Sequence, residues 1–373
     1  MTRPAPRPLQ RTTVLDVSRM LPGAITARML ADLGARVIKV EAPRVGDPMR
    51  LAVPKVGGIG AAFCALYRGA ESVCLDLKQT KDVATLCSLA GHADVMVESF
   101  RPGTLEAWGA GPQKLLSKHP GLTICSLSSF GIDDPNADRV AHDINLVASS
   151  GLLPLLSGEG MPRVQVADVA AGMLATSAIL ATLLGRANSG RGGWIDQPIL
   201  TGSLPFMTVA LAEHAAGGDG IADTLLSGAC AAYRLYDCAD GKRLAVGALE
   251  PKFWTKLVGL LGLPELSGAG LDSGPAGRQA AQQVQQALAA QPRDHWLALF
   301  KNRGLPITPV VDMTDAGQEL QSSGLMEQTP APGAEPLSTP GPFLPSLGVT
   351  PTQRAPDLGE HTSAILAEFG LTE

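Results

Sequence analysis

Thr13-Val14-Leu15-Asp16-Val17, then Ala24 to Gly34, then Ala35-Arg36-Val37-Ile38-Lys39-Val40 are the stretches that decide the fold. The first and third are short runs rich in β-branched residues, and the second is an Ala/Leu-rich segment closing on a glycine. Strand, helix and strand in this order make a β-α-β unit with parallel strands and a right-handed crossover. The intervening turn is Ser18-Arg19-Met20-Leu21-Pro22-Gly23. It lacks Gly-x-Gly-x-x-Gly, so an ordinary dinucleotide site is not expected.

The same alternation continues outward: a strand at Ser72–Leu77, a helix at Thr80–Ala90 and a strand at Asp94–Val97. A helix around Gln113–Lys118 and a strand at Leu122–Leu127 follow. Next come a long helix from about Asp168 to Leu184, a strand at Trp194–Ile199 in which Pro198 limits pairing, and a helix at Ser203–Ala215. The character then changes. Ala231–Cys238 and Lys242–Ala248 flank Ala239-Asp240-Gly241, a hairpin signal, and helices at Lys252–Leu261, Gly277–Ala290 and Arg293–Asn302 complete a small α+β domain. The chain returns through a strand at Thr308–Val311, a Pro-rich crossing of 325–356 and a last helix at His361–Phe369. The expected division is 1–200 for the first part of a large α/β domain and 201–225 for a linker helix. Residues 226–305 form the small domain, and 306–373 return to the large one.

Composition narrows the function classes. With 45% apolar and 17% charged residues the chain is globular, and 373 residues suffice for two domains. A net charge of −5 argues against general nucleic-acid binding, while leaving room for a local basic pocket. The six cysteines form no Cys-x-x-Cys pair, and the six histidines lack metal-ligand spacing, so no metal site is expected. The N-terminal Arg3, Arg7 and Arg11 lie among prolines without an apolar run. Val169–Gly185 reads as a core helix too short to span a bilayer, so a cytoplasmic, membrane-free protein is expected.

Three segments carry candidate chemistry: Ala141-His142-Asp143-Ile144-Asn145, Gln165-Val166-Ala167-Asp168-Val169-Ala170 and Gly247-Ala248-Leu249-Glu250-Pro251. Each stands where a strand or loop hands over to a helix. A histidine and a carboxylate on opposite sides of one carbon acid can move a proton from either face. Taken alone, Asp168 and Glu250 also fit helix-start carboxylates, and Asp143 fits a local cap.

These motifs occur together with Leu30-Ala31-Asp32-Leu33-Gly34-Ala35-Arg36-Val37-Ile38-Lys39-Val40-Glu41, Leu75-Asp76-Leu77-Lys78 and Asp94 to Gly103. In this order they resemble the class III coenzyme A transferases, a family that includes the α-methylacyl-CoA racemases. The resemblance runs over nearly the whole chain. It implies a large Rossmann-like parallel-sheet domain formed by both chain ends, a small middle domain and two interlocked chains. It further implies CoA contacts from Met20, Leu21, Leu75, Lys78, Ser99 and Phe100, with Ser99 standing where asparagine is commoner. Lys78 and Arg101 suit phosphates, although from spacing alone they equally suit solvated strand ends. No cofactor beyond the CoA moiety of the substrate is expected.

Asp168 aligns with the family's catalytic carboxylate. In transferases that group attacks the thioester to form a mixed anhydride, and in racemases it carries a proton. His142 decides between the two, because His-Asp-Ile-Asn resembles the racemase motif. Glu250 corresponds to the glutamate that orients the histidine, and the backbone N–H of Asp143 is placed to help hold an enolate oxygen. The expected activity is racemisation or epimerisation of 2-methylacyl-CoA thioesters through an enolate. The alternative is transfer of CoA between an acyl-CoA and a carboxylic acid through an aspartyl-acyl anhydride.

Overall fold

The computed structural model describes residues 7–157, 160–218, 225–347 and 353–371. The chain separates into two compact units. One runs to Met207 and resumes at Glu319; the other is Thr208–Gln318.

The larger unit is built on strands β1 Thr13–Asp16 and β2 Arg36–Glu41, a small hairpin of β3 Lys55–Val56 and β4 Ile59–Gly60, then β5 Glu71–Cys74, β6 Val95–Glu98, β7 Thr123–Ser126 and β8 Gly193–Asp196. Six of these form one sheet in the order β5-β2-β1-β6-β7-β8, and every pairing within it is parallel. Successive residues of each strand enter opposite cores. Val14, Val37, Val95 and Val97 pack on one face with Leu30, Ala175 and Ile179. Leu15, Ile38, Met96 and Ile124 pack on the other with Leu86, Leu115 and Ile365. Burial on both faces explains why these strands read as continuous apolar runs. β8 stops at Asp196, before Pro198, whose missing N–H cannot extend the ladder.

The sheet order reverses between β1 and β6. At such a switch point the following loops diverge and leave a crevice at the carboxyl ends of the strands. The helix Met20–Asp32 follows β1 and crosses the helix Val166–Ser189 closely, because Gly172 brings no side chain to Pro22 and Ile25. The latter helix is 24 residues long, longer than its apolar stretch implied, and by length and composition it is able to cross a membrane. Ala171, Ala175 and Ile179 are buried, while Met173 and Leu184 are exposed.

The far end of the chain completes this unit. The crossing of 325–356 contains a hairpin that the sequence did not announce, β12 Met326–Ala331 and β13 Ala334–Pro340. Its prolines are tolerated because a two-stranded ribbon leaves half its N–H groups without a ladder partner. Polar anchors hold it. Arg28 donates to the carbonyls of Pro340 and Gly341, and Arg68 donates to Thr329, Thr339 and the Pro340 carbonyl. The final helix, Thr362–Glu368, seats Ile365 in the second core.

The smaller unit holds an antiparallel sheet of β9 Tyr233–Asp237, β10 Arg243–Gly247 and β11 Ile307–Pro309, in the order β11-β10-β9. The tight turn between β9 and β10 uses Gly241 at φ 72°, a left-handed conformation suited to glycine. Helices Pro251–Leu260, Pro275–Leu288 and Arg293–Phe300 close its core on Tyr236, Leu244, Trp254, Val284 and Trp296.

Candidate active site at the switch point

A buried ionic group underlies the crevice. Lys39 Nζ lies 3.2 Å from both Asp16 and Asp47 and donates to the Ser18 carbonyl. Tyr67 donates its hydroxyl to Asp16 at 2.9 Å, and Asp16 also accepts the Ser18 N–H at 2.9 Å. Burial opposes the charge on Lys39, but Asp16, Asp47 and Glu41 outweigh it and hold its pKa above the usual lysine value. The group fixes the loop after β1, where Met20 adopts φ 67° and donates its N–H to Asp47. A non-glycine residue stays in that region only where its surroundings over-determine it.

Two cavities open over this floor. The first, about 260 Å³, is lined by Arg19, Val40, Leu75, Lys78, Phe100 and Trp108 among others. The second, about 190 Å³, has Met20, Ser99, Phe100 and Arg101 together with Arg139, His142 and Asp168. Arg19 and Phe100 belong to both. Of the residues expected to meet CoA, Leu75 and Lys78 therefore face the first cavity, Met20, Ser99 and Arg101 the second, and Phe100 both. Leu21 instead packs partly buried against the main core.

His142 and Asp168 share the second cavity. His142 caps the helix Asp143–Ser149: its carbonyl accepts the Asn145 N–H at 2.9 Å, and its own N–H donates to the Asn145 carboxamide at 3.0 Å. The histidine is exposed. Asp143, expected as a local cap, acts at a distance. Its buried carboxylate accepts the backbone N–H of Asp168 at 3.1 Å, so it caps the other helix, Val166–Ser189. Asp168 is half-buried, and burial plus the neighbouring Asp143 charge raise its pKa from 3.8 to about 7. A carboxyl group poised there exists in both protonation states at neutral pH.

Glu250 belongs to the smaller unit. It is exposed at the start of helix Pro251–Leu260, where its carbonyl accepts the N–H groups of Phe253 and Trp254 at 2.9 and 3.1 Å. Sequence reasoning missed Arg19 and Arg139 in the cavity walls, and Glu98, which lines a narrow space with Phe100 and Arg101. The basic residues gave no periodic signal, and Glu98 reads as the polar end of a strand. Among the described residues, no three potential His, Cys, Asp or Glu ligands gather as a metal site.

The sequence profile of CoA-transferase family III matches residues 9–362. The chain belongs to that family. Its relatives within the family perform two reactions. The α-methylacyl-CoA racemase of Mus musculus is 30% identical over 98% of this chain and 94% of its own. The succinyl-CoA:glutarate CoA-transferase of the same species is 29% identical over 97% and 86%. Among solved structures, a CAIB/BAIF family protein from Brucella suis superposes with a TM-score of 0.82 at 28% identity, covering 96% of this chain and 98% of that one. The fold and family expected from the motifs are thus the ones found, and the protein is an enzyme of the transferase and racemase superfamily.

Proposed function

We propose that the protein is a racemase or epimerase of 2-methylacyl-CoA thioesters. The observation that carries this reading is the presence of His142 and Asp168 in one cavity, beside residues suited to CoA. CoA would lie across the switch point, its nucleotide against Leu75, Lys78 and Phe100 and its phosphates near Lys78 and Arg101. The thioester would then reach His142 and Asp168. The thioester carbonyl acidifies the α-hydrogen by delocalising charge onto oxygen. One base removes that proton, an enolate forms, and the conjugate acid on the other side returns a proton to the opposite face. A pKa near 7 on Asp168 suits a group that must both take and give a proton. Asp143 N–H is assigned to help hold the enolate oxygen.

Two interlocked copies are proposed as the working form. Support comes from apolar side chains that a single chain leaves open to solvent. Met173 and Leu184 are 50% and 72% exposed on one helix, and Phe206, Val209 and Leu211 are 51%, 67% and 51% exposed on helix Leu204–Ala215. The proposed setting is the cytoplasm, with acyl-CoA as the partner molecule and no metal or further cofactor.

The transferase reading keeps one specific support, the similar resemblance to a CoA-transferase. In that case Asp168 attacks the thioester, CoA leaves, and an aspartyl-acyl anhydride remains for the acceptor acid. Deuterium exchange followed by NMR on each pure enantiomer separates the two. His142→Ala is expected to stop racemisation while leaving α-proton exchange of one enantiomer, Asp168→Ala that of the other, each with losses of about 10²- to 10⁴-fold. If His142→Ala retains full activity and mass spectrometry finds an acyl group on Asp168, the protein is a transferase.

A further inference from the structure

Glu98 ends β6, is 6% exposed and lines a narrow space together with Phe100 and Arg101. One of its carboxyl oxygens accepts the Phe100 N–H at 2.7 Å, and it hydrogen-bonds Ser126, whose hydroxyl also accepts the Trp194 indole N–H at 2.9 Å. The segment it holds does three things. Ser99 accepts the Arg19 N–H at 2.8 Å, joining the loop after β6 to the loop after β1 across the switch point. Phe100 walls both cavities and packs edge-on against Trp108 at 5.1 Å. Arg101 lines the second cavity. A single buried carboxyl therefore sets the backbone from which both walls hang.

We propose that Glu98 is a positioning residue for CoA: by accepting the Phe100 N–H it holds Ser99, Phe100 and Arg101 in the arrangement that receives the nucleotide and pantetheine arm. The inference rests on the CoA reading above. Glu98 touches neither the α-carbon nor the thioester bond, so its removal acts on binding and leaves the chemical step alone. The Phe100 N–H bond persists, and strengthens, when the carboxyl ionises, so a pH effect on CoA comes from the added charge repelling the phosphates. Glu106 and Asp196 place negative charge near Glu98, the buried Cys125 offers no counter-charge, and Arg101 lines the same narrow space. Burial and those two acids raise the pKa of Glu98 to about 7. Ionisation above that point places an additional negative charge within the wall.

The test is CoA titration calorimetry on the full chain, as wild type, Glu98→Gln and Glu98→Ala, at about pH 6 and about pH 8.5. Glu98→Ala is expected to weaken CoA roughly tenfold or more, and to raise KM for the acyl-CoA while kcat stays within about threefold. Glu98→Gln keeps an acceptor for the Phe100 N–H. It is expected to bind within about threefold of wild type at the lower pH and to lose the wild-type decline in affinity at the higher pH. Unchanged CoA affinity in a folded Glu98→Ala, or a fall in kcat at constant KM, overturns the proposal. If the alanine variant does not fold, Glu98→Gln decides, and a pH profile identical to wild type overturns it. Wild-type protein that binds no CoA removes the CoA reading itself, an outcome separate from a failure of Glu98.

Discussion

The Asp143 carboxylate and the Asp168 backbone are joined at 3.1 Å, across 25 residues of sequence. One acid thus caps the helix on which the other stands, and its charge raises the pKa of the residue it positions. Replacing Asp143 with Asn separates these two effects. The carboxamide oxygen keeps the cap, while the repulsion disappears. The inflection that Asp168 contributes to the pH dependence of kcat/KM is expected to move below 7, with little change in melting temperature. Asp143→Ala removes the cap as well and is expected to cost about 1 kcal/mol in urea unfolding.

Asp168 also links stability to pH. Its pKa is about 7 in the folded chain, whereas an unfolded aspartate titrates near 3.9. Folding therefore favours the neutral acid. Its contribution is fully present below about pH 4 and is lost as pH rises through about 7. Asp168→Asn is expected to gain stability relative to wild type between about pH 5 and about pH 8.5, by about 1–2 kcal/mol after allowance for its partial exposure. Melting curves across that range check this. A constant difference would mean that Asp168 stays ionised throughout.

Lys39 stands between two buried acids, and removing its charge strands both. Lys39→Met fills similar volume yet leaves Asp16 and Asp47 without their cation. A loss of about 3–5 kcal/mol is expected in urea titration at neutral pH, accompanied by weaker CoA binding because the Ser18–Met20 loop is released.

Gly172 permits the close crossing of helices Met20–Asp32 and Val166–Ser189. A Cβ there would meet the Pro22 carbonyl oxygen at 2.7 Å and Ile25 Cβ at 2.8 Å. Gly172→Ala is expected to destabilise by about 1–3 kcal/mol despite the better helix propensity of alanine. A calorimetric melt at or above the wild-type temperature would contradict this packing.

The legible parts of the sequence were those whose physics is local. Val14-Leu15 and Val37-Ile38 announce strands because both neighbours in each pair are buried, and Asp240-Gly241 announces a turn because of its backbone needs. The β12–β13 hairpin was illegible because its prolines mask the pattern and its holders, Arg28 and Arg68, lie far away in the chain. His142 and Asp168 stood out through their motifs. The long-range cap from Asp143, the Lys39 group and Glu98 did not, since a charge inside or ending an apolar strand acquires meaning only when the fold supplies its partner.

The anchoring of that hairpin bears on how the protein is made. Arg28 awaits a carbonyl at Pro340, 312 residues later, and the second core awaits Ile365. A ribosome delivers residues in order, so the contiguous Thr208–Gln318 unit can mature while the larger unit is still missing a seam. Until Thr329 to Gly341 leave the exit tunnel, two arginines destined for burial must remain hydrated. The larger unit can first close only once the chain through Ile365 has emerged.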